Sequence, residues 1–252
     1  IGISEWRKAP EVLWERGGFP DSLLARDAAA SWAWRGAFID TYLERDIPQL
    51  GPRLPAEQMR RLWSMLAHGQ GNQLNAARLA AGLGLSGKTV RHYIDILTEL
   101  FMLRQLPPWS GNSAKRLVKS PKVYVRDSGL VHHLARVPDL ETLLGHPLCG
   151  RSWEGFALEQ LLAPLSDRWQ ASFYRTSAGA EIDLVLEGPN RRVLAIEIKR
   201  TQAPKLEKGF LLGCEDVRAS QRVVVVPSGE AFPLGHDTEA VPLAEMVARL
   251  SA

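Results

Sequence analysis

Two apolar segments, Glu181-Ile-Asp-Leu-Val-Leu-Glu187 and Val193-Leu-Ala-Ile-Glu-Ile-Lys199, are separated by the turn residues Gly188-Pro-Asn-Arg-Arg192. Apolar runs on either side of a Gly-Pro turn predict a β-hairpin. Because side chains alternate along a strand, the acid and the amine of the Glu-Ile-Lys triplet point to the same face, and the partner strand carries Asp183. Charged groups in strands this apolar are costly to bury unless they are paired or bind a metal. The hairpin is therefore the first candidate for a functional site.

The composition of the whole chain is that of a globular protein, with 252 residues, 45% hydrophobic and 23% charged. Its apolar runs are all far shorter than the roughly 20 residues that span a bilayer, so we expect no membrane association. The two cysteines, Cys149 and Cys214, are far apart and form no CxxC pair. This usage indicates a reduced compartment without a zinc site, and we expect a cytoplasmic protein.

The first 52 residues are predicted to form a helical lead segment. The aromatic residues Trp34, Phe38 and Tyr42 recur at the four-residue spacing of one helical face, which is typical of a core stripe. The segment is expected to close at Asp46-Ile-Pro48, where Pro48 discourages further helix.

Residues 53–130 are predicted to form a winged helix-turn-helix. A helix over 55–68 is followed by a short helix that Asn75 caps and a longer one, about 87–100, that Ser86 caps. Two extended stretches, 101–106 and 119–126, then flank a loop rich in Pro, Gly and Asn. Helix, turn, capped helix and strand pair together predict the wing of a winged helix.

Basic side chains are concentrated in this segment, and they make DNA the expected partner. The nucleic-acid contacts predicted here are Lys88, Arg91, Lys115, Arg116, Lys119 and Lys122. Acidic residues on the same helix, Asp95 and Glu99, would weaken binding in a major groove. The alternative is a winged helix that docks on a protein and carries a solvated basic loop.

A phosphate-loop pattern, GxxxxGK[ST], is matched by Gly82-Leu-Gly-Leu-Ser-Gly-Lys-Thr89. A phosphate loop follows a buried strand, whereas the residues before this one, 75–81, are rich in alanine and predict a helix. Ser86 is better explained as a helix cap, and a nucleotide-binding switch is kept as a third hypothesis.

Residues 131–252 are predicted to form an α/β sandwich, so the fold class is α/β, or α+β for the whole chain. We expect the following elements: a helix over about 150–165, a strand over 171–175, the hairpin, a helix or loop over 204–213, a strand over 222–226, a short edge strand over 240–243 and a final helix over 244–250.

The spacing of charged residues in this domain is that of a metal-dependent nuclease core. Asp183 is followed after thirteen residues by Glu197-Ile-Lys199. Carboxylates on adjacent strands can bind Mg²⁺ or Mn²⁺, which activates water and stabilises phosphate charge. We assign Asp183 and Glu197 as metal ligands and Lys199 as the group that orients water or stabilises the anion. Glu154 of the preceding helix is expected to hold a second metal or a metal-bound water.

Three further residues bear on this core. Arg175 and Lys205 are predicted to contact phosphate. Glu181 lies two residues before Asp183 on the same face and is a rival ligand. The same letters would also occur in a degenerate core that binds without cutting.

Several motifs together resemble a known family: Gly17-Gly-Phe-Pro20, Tyr42-Leu-Glu-Arg-Asp-Ile-Pro48, Lys119-Ser-Pro-Lys-Val-Tyr124, Asp127-Ser-Gly-Leu130, Trp153-Glu-Gly-Phe156, Tyr174-Arg-Thr176, Gly179-Ala-Glu-Ile-Asp-Leu184 and Glu197-Ile-Lys199. The chain resembles, over essentially its whole length, the C-terminal region of prokaryotic AAA-type ATPases that carry the domain of unknown function 4143. The resemblance implies a winged helix and a PD-(D/E)XK restriction-endonuclease-like domain, over 53–130 and 131–252. In its motif Asp183, Glu197 and Lys199 match the core and Glu154 matches the helix acid, although Ile182 replaces the usual proline.

The resemblance also implies an AAA-type ATPase domain upstream, acting in cis or in trans, while this chain itself carries no ATPase site. The leading hypothesis is a DNA-binding module with Mg²⁺-dependent phosphodiester cleavage, that is, a candidate metal-dependent deoxyribonuclease. The alternative is a non-catalytic nuclease-like and winged-helix module that docks on an ATPase and on DNA or protein. Self-association is compatible with both.

Overall fold

The computed structural model describes residues 10–49, 55–111 and 115–251. The chain divides into two compact units: Ile1–Gln105 with Val123–Phe156, and Leu106–Lys122 with Ala157–Ala252. The domain boundary expected between residues 52 and 53 lies outside the described residues. The boundary expected between residues 130 and 131 falls inside the first unit.

The first unit is helical. Its helices are α1 (Pro10–Arg16), α2 (Pro20–Leu23), α3 (Ala28–Thr41), α4 (Ile47–Gln49), α5 (Ala56–His68), α6 (Ala76–Leu83), α7 (Gly87–Glu99), α8 (Ser128–Leu134) and α9 (Leu140–Gly145). The aromatic residues Trp34, Phe38 and Tyr42 do stack in sequence along α3, with ring centroids 5.2 and 5.4 Å apart.

The helical segment extends one residue past its predicted close at Asp46-Ile-Pro48. A π turn over Tyr42–Asp46 joins α3 to α4, which continues to Gln49. Proline lacks the N–H that an α-helix requires. A π turn widens the hydrogen-bond ladder locally, and here it leads the chain through the proline without a break.

The helix-turn-helix follows the cap residues of the sequence. The Asn75 side chain accepts from the amide of Arg78 at 2.9 Å at the start of α6, and Ser86 Oγ accepts from the amide of Thr89 at 3.0 Å at the start of α7. Between them Gly84 has φ +66°, which suits glycine at a helix end. The phosphate-loop pattern therefore spans a helix end, a turn and a capped helix, with α6 rather than a strand before it.

Two short strands, β1 (Leu103–Leu106) and β2 (Lys122–Val125), form the predicted two-stranded sheet. The residues between them belong to the second unit and run along the first strand of its sheet, β3 (Gln170–Arg175). The amide of Trp109 donates to the carbonyl of Phe173, and the amide of Val118 donates to that of Arg175. This stretch, expected as a wing loop, therefore covers the edge of a larger sheet.

That larger sheet has six strands among the described residues, in the order β3-β4-β5-β6-β8-β7. Its other members are β4 (Glu181–Gly188), β5 (Arg192–Ile198), β6 (Gln221–Val226), β7 (Phe232–Gly235) and β8 (Thr238–Pro242). Helix α10 (Cys149–Leu162) begins in the first unit and ends in the second, which also contains α11 (Lys208–Asp216) and α12 (Leu243–Ser251). The mixed α/β fold class is confirmed, with helix, three antiparallel strands, helix and a parallel strand in chain order.

The stretch predicted as an edge strand, 240–243, is not at the edge. Its first three residues form the end of β8, which pairs in parallel with β6 on one side and antiparallel with β7 on the other, and Leu243 begins α12. The edge is β7, which the sequence analysis did not predict.

Both faces of the central strands are covered. On one face Tyr174, Ile182, Ala195 and Phe210 pack in a fully buried cluster with Cys214 of α11. Burial on both sides explains why β4, β5 and β6 are nearly continuous apolar runs, and why the few charged residues in them need partners. No helix in the described ranges has the length and apolar character that a membrane crossing needs.

Candidate functional site

The hairpin places the predicted acids side by side. Leu184 of β4 pairs with Ile196 of β5, so Asp183 and Glu197 are the next residues outward on the two strands. The amide of Ile198 donates to Asp183 Oδ2 at 3.0 Å. Directly opposed residues in an antiparallel pair project to the same face, so the two carboxylates share one environment.

Glu197 and Lys199 form a close pair at the end of β5. The Nζ of Lys199 lies 2.7 Å from Glu197 Oε1 and 2.6 Å from Glu207 Oε1. Glu197 is 8% exposed, whereas the Glu207 side chain is 65% exposed. Lys199 therefore bridges a buried acid of the sheet and a solvated acid just before α11.

The protonation of this pair is set mainly by burial. The pKa of Glu197 is raised to about 7: burial raises it most, the hydrogen bond and charge of Lys199 lower it, and repulsion from Asp183 and Glu207 raises it. Burial alone would lower the pKa of Lys199, but its hydrogen bonds to Glu197 and Glu207 outweigh it and the pKa is raised. Lys199 therefore stays charged at neutral pH, while Glu197 is poised between its two forms.

A lysine from β2 also reaches these acids. Lys122 is 3% exposed, and its Nζ lies 3.1 Å from Glu181 Oε1 and 3.4 Å from Asp183 Oδ1. The same ammonium lies 5.6 Å from the centroid of the Phe173 ring, within cation–π range. The residue predicted to contact nucleic acid from a wing is thus buried among the acids of the hairpin.

Glu181, the rival ligand, has two cationic partners. Besides Lys122, Arg175 Nη1 lies 3.3 Å from Glu181 Oε2, and these two residues are paired across β3 and β4. We call the connected groups the hairpin cluster: Lys122, Arg175, Glu181, Asp183, Glu197, Lys199 and Glu207. Four carboxylates and three cations leave the cluster with one formal negative charge when all are ionised.

Glu154, the predicted helix acid, is placed by α10 in the first unit. Its Oε1 accepts a 2.6 Å hydrogen bond from the hydroxyl of Tyr124. The described contacts of the hairpin cluster all lie in the second unit, and the role of Glu154 at a metal stays a prediction.

The predicted nucleic-acid contacts have different environments. Lys88 and Arg91 are exposed near the start of α7, and Arg116, Lys119, Arg175 and Lys205 are exposed in the second unit. Lys115 is ion-paired with Asp216 at 2.8 Å, and Asp216 also accepts from the Tyr174 hydroxyl. These contacts with nucleic acid stay predictions.

The donor chemistry of the cluster suits Mg²⁺ or Mn²⁺. Mg²⁺ is usually held by one or two carboxylates, with waters and substrate phosphates as its other ligands. Asp183 and Glu197 supply two adjacent carboxylates, and the formal negative charge favours one more cation. Across residues 10–49, 55–111 and 115–251 no group of three or more His, Cys, Asp or Glu side chains is arranged to hold a metal, so a metal here would rest on two.

Two members of the cluster were missed or misplaced by the sequence analysis. Glu207 was not identified, because it lies in a stretch predicted as either helix or loop, and a single acid there does not indicate a partner. Lys122 was assigned to the wing, although Lys122-Val-Tyr-Val125 offers a signal: a lysine in so apolar a strand needs a buried partner.

Comparison with protein families gives two matches. Residues 7–141 match the model described as "Domain of unknown function (DUF8612)", which is more than half of the chain. Residues 149–246 match "Domain of unknown function (DUF4143)", as the resemblance implied. The hairpin cluster beyond Lys122 thus lies in the second matched region.

Two curated relatives are uncharacterized proteins of Mycobacterium bovis and Mycobacterium tuberculosis. Each is 43% identical over 234 residues, which is 93% of this chain and 53% of the relative. The chain therefore spans about half the length of the curated relatives it matches. No solved structure matches the chain.

Proposed function

The chain belongs to the DUF8612 family and carries a DUF4143 domain, and from this premise we propose that it is a DNA-binding module whose PD-(D/E)XK-like domain cleaves phosphodiesters with Mg²⁺ or Mn²⁺. The observation that supports this most is that Asp183 and Glu197 lie side by side on paired strands, and that Lys199 contacts the Glu197 carboxylate. We place this activity in the cytoplasm, with an AAA-type ATPase domain as partner in cis or in trans.

The proposed roles follow from the environment of each group. Asp183 and Glu197 would hold the cation, which when bound supplies a polarised water and charge stabilisation at the phosphate. The Ile198 amide fixes the orientation of the Asp183 carboxylate. Lys199 has a raised pKa and stays protonated, so it donates hydrogen bonds and stabilises a developing anion rather than removing a proton.

DNA binding is assigned to the exposed start of α7. Ser86 caps this helix, and Lys88 and Arg91 follow in its first turns, where a recognition helix meets the major groove. Arg116 and Lys119 add exposed positive charge in the second unit.

A non-catalytic docking module is the second candidate, and a specific observation favours it. Lys122 contacts Asp183 and Lys199 contacts Glu197, so the two core acids are each neutralised within the protein. A domain that has lost its metal would use such pairs to stabilise the sheet, and its winged helix would then act by binding alone.

The cleavage assay uses supercoiled plasmid with Mg²⁺ or Mn²⁺. Nicking is expected for the wild type and is expected to be lost in Asp183→Asn and Glu197→Gln. The matched control is Asp167→Asn, an exposed aspartate of the same unit, which should cut normally. Nicking that survives Asp183→Asn would refute the catalytic assignment, and absence of nicking by a folded, DNA-binding protein would favour the docking module.

DNA binding is tested separately by fluorescence anisotropy with a labelled duplex. Lys88→Ala combined with Arg91→Ala should weaken binding about tenfold and reduce its salt dependence, because two phosphate or base contacts are removed. Arg168→Ala, which removes one exposed charge away from α7, is the control. Equal affinities for the wild type and the double variant would remove α7 from the interface.

A further inference from the structure

Lys122 is the one cation in the hairpin cluster that comes from outside the segment 175–207. Its side chain is 4% exposed, and β2 delivers it to the face of β4 that carries Glu181 and Asp183. An ammonium group at this depth is stable only with charged or hydrogen-bonding partners. The Phe173 ring lies beside it, with its centroid 5.6 Å from the ammonium.

The two oxygens of Asp183 have different partners. Oδ2 accepts a hydrogen bond of 3.0 Å from the Ile198 amide, within the hairpin. Oδ1 is the oxygen that a metal would take, and it is the one that Lys122 approaches at 3.4 Å. Two cations at one carboxylate oxygen repel each other strongly in a buried site, so the ammonium and a divalent ion compete for Oδ1.

Glu181 offers the ammonium a second position. It is the nearer of the two acids, at 3.1 Å against 3.4 Å. Arg175, its cross-strand partner, lies with Nη1 3.3 Å from Glu181 Oε2 and 3.5 Å from Oε1, and so holds that carboxylate in place. A small movement of Lys122 would therefore break its contact with Asp183 and keep its ion pair with Glu181.

We propose that Lys122 is a resident counter-ion of Asp183 that a divalent cation displaces towards Glu181. This inference rests on the metal site of the proposed function and adds its regulation. Glu181 is then a holding residue for the lysine rather than a metal ligand. While the divalent cation is absent, Lys122 balances the buried negative charge of Asp183. Because the two cations compete, Lys122 also sets the concentration of the divalent cation at which the site fills.

A double-mutant cycle on Mn²⁺ binding, measured by isothermal titration calorimetry without DNA, tests this assignment. Lys122→Met removes the competitor and should tighten Mn²⁺ binding about tenfold. Glu181→Gln removes the holding residue and should weaken binding about threefold, whereas in the Lys122→Met background it should change binding less than about twofold. Glu187→Gln, a half-buried glutamate at the other end of β4, is the control and should bind as the wild type does.

The outcomes separate this inference from the function on which it rests. Absence of Mn²⁺ binding in the wild type and in all variants would overturn the proposed metal site together with the displacement. Binding by the wild type that Lys122→Met fails to tighten would overturn the displacement alone. A full effect of Glu181→Gln in the Lys122→Met background would make Glu181 a ligand and equally overturn it.

A measurement on the wild type avoids any folding defect of Lys122→Met. Pulse acetylation with mass spectrometry reports how accessible each lysine amine is. Lys122 should react slowly without metal and several times faster with saturating Mn²⁺, since it moves from a buried position to the more exposed Glu181. The exposed Lys119 on the same segment should be unaffected. An unchanged or lower rate at Lys122 would overturn the displacement.

Discussion

Replacing Glu197 with glutamine should remove a pH-dependent loss of stability. Glu197 is 8% exposed and its pKa in the folded protein is raised from 4.5 to about 7, chiefly by burial. The folded state therefore binds this proton more tightly than the unfolded state does. Full stability is present below the unfolded value of 4.5, and it falls as the pH rises through about 7.

The size of the effect follows from the two pKa values. One pKa unit corresponds to about 1.4 kcal/mol, so a rise from 4.5 to about 7 corresponds to about 3 kcal/mol in the free energy of unfolding. Glutamine fills nearly the same volume and does not ionise. Lys199 loses one partner in the variant but keeps Glu207 at 2.6 Å, and the effect of Lys199 on the ionisation of Glu197 is already contained in its pKa of about 7.

Urea titrations of Glu197→Gln and the wild type at about pH 5 and about pH 8 measure this difference. The stability of the variant relative to the wild type should increase by about 2–3 kcal/mol between the two conditions. Hydrogen exchange of a peptide covering residues 181–198 assigns the change to the hairpin. Glu207→Gln, which removes the exposed partner of Lys199, should cost less than about 1 kcal/mol with little pH dependence. Parallel pH profiles for the wild type and Glu197→Gln would refute the reasoning.

Three further predictions concern the first unit. Gly129→Ala should destabilise it by about 3 kcal/mol in urea titrations, because a Cβ would clash with the carbonyl of Arg16, whereas Gly87→Ala, with open space around it, should be nearly neutral. Ser86→Ala should cost about 1 kcal/mol by the same measurement, since a helix cap is lost. Burial lowers the pKa of His132 from 6.5 to about 4, so the free energy of unfolding of the wild type should decrease as the pH falls from 6.5 through 4. His132→Gln should make this decrease smaller. An equally steep decrease at acidic pH in the variant would contradict the prediction.

The elements that could be predicted are those whose signals are local. Asn75 and Ser86 were identified as caps because their short side chains satisfy orphan amides within three residues, and the structure has both bonds. The hairpin was equally local, since a turn and two apolar runs define it without reference to the rest of the chain. Pro48 located the end of this segment to within one residue, whereas the π turn over Tyr42–Asp46 before it was not predicted from the sequence.

Strand order could not be predicted in the same way. The residues 240–243 look like an edge strand because they are short and contain a proline. In the sheet this proline ends β8, while the strand before it is buried between two partners. The true edge, β7, is mostly exposed and lacks apolar alternation, so nothing in its composition distinguishes it from a loop.

In the candidate site too, the residues with local signals were predicted and the distant one was not. Asp183, Glu197 and Lys199 were identified because a hairpin fixes which residues face each other across about fifteen positions. Lys122 lies 61 residues from Asp183 in sequence, and the segment before it was assigned to a basic wing by its charge. Charge counted along the chain does not distinguish a solvated lysine from a buried one; apolar neighbours do. All four residues of the strand Lys122-Val-Tyr-Val125 are buried, so its lysine needs an acidic partner. The acids that it contacts are Glu181 and Asp183 of the hairpin.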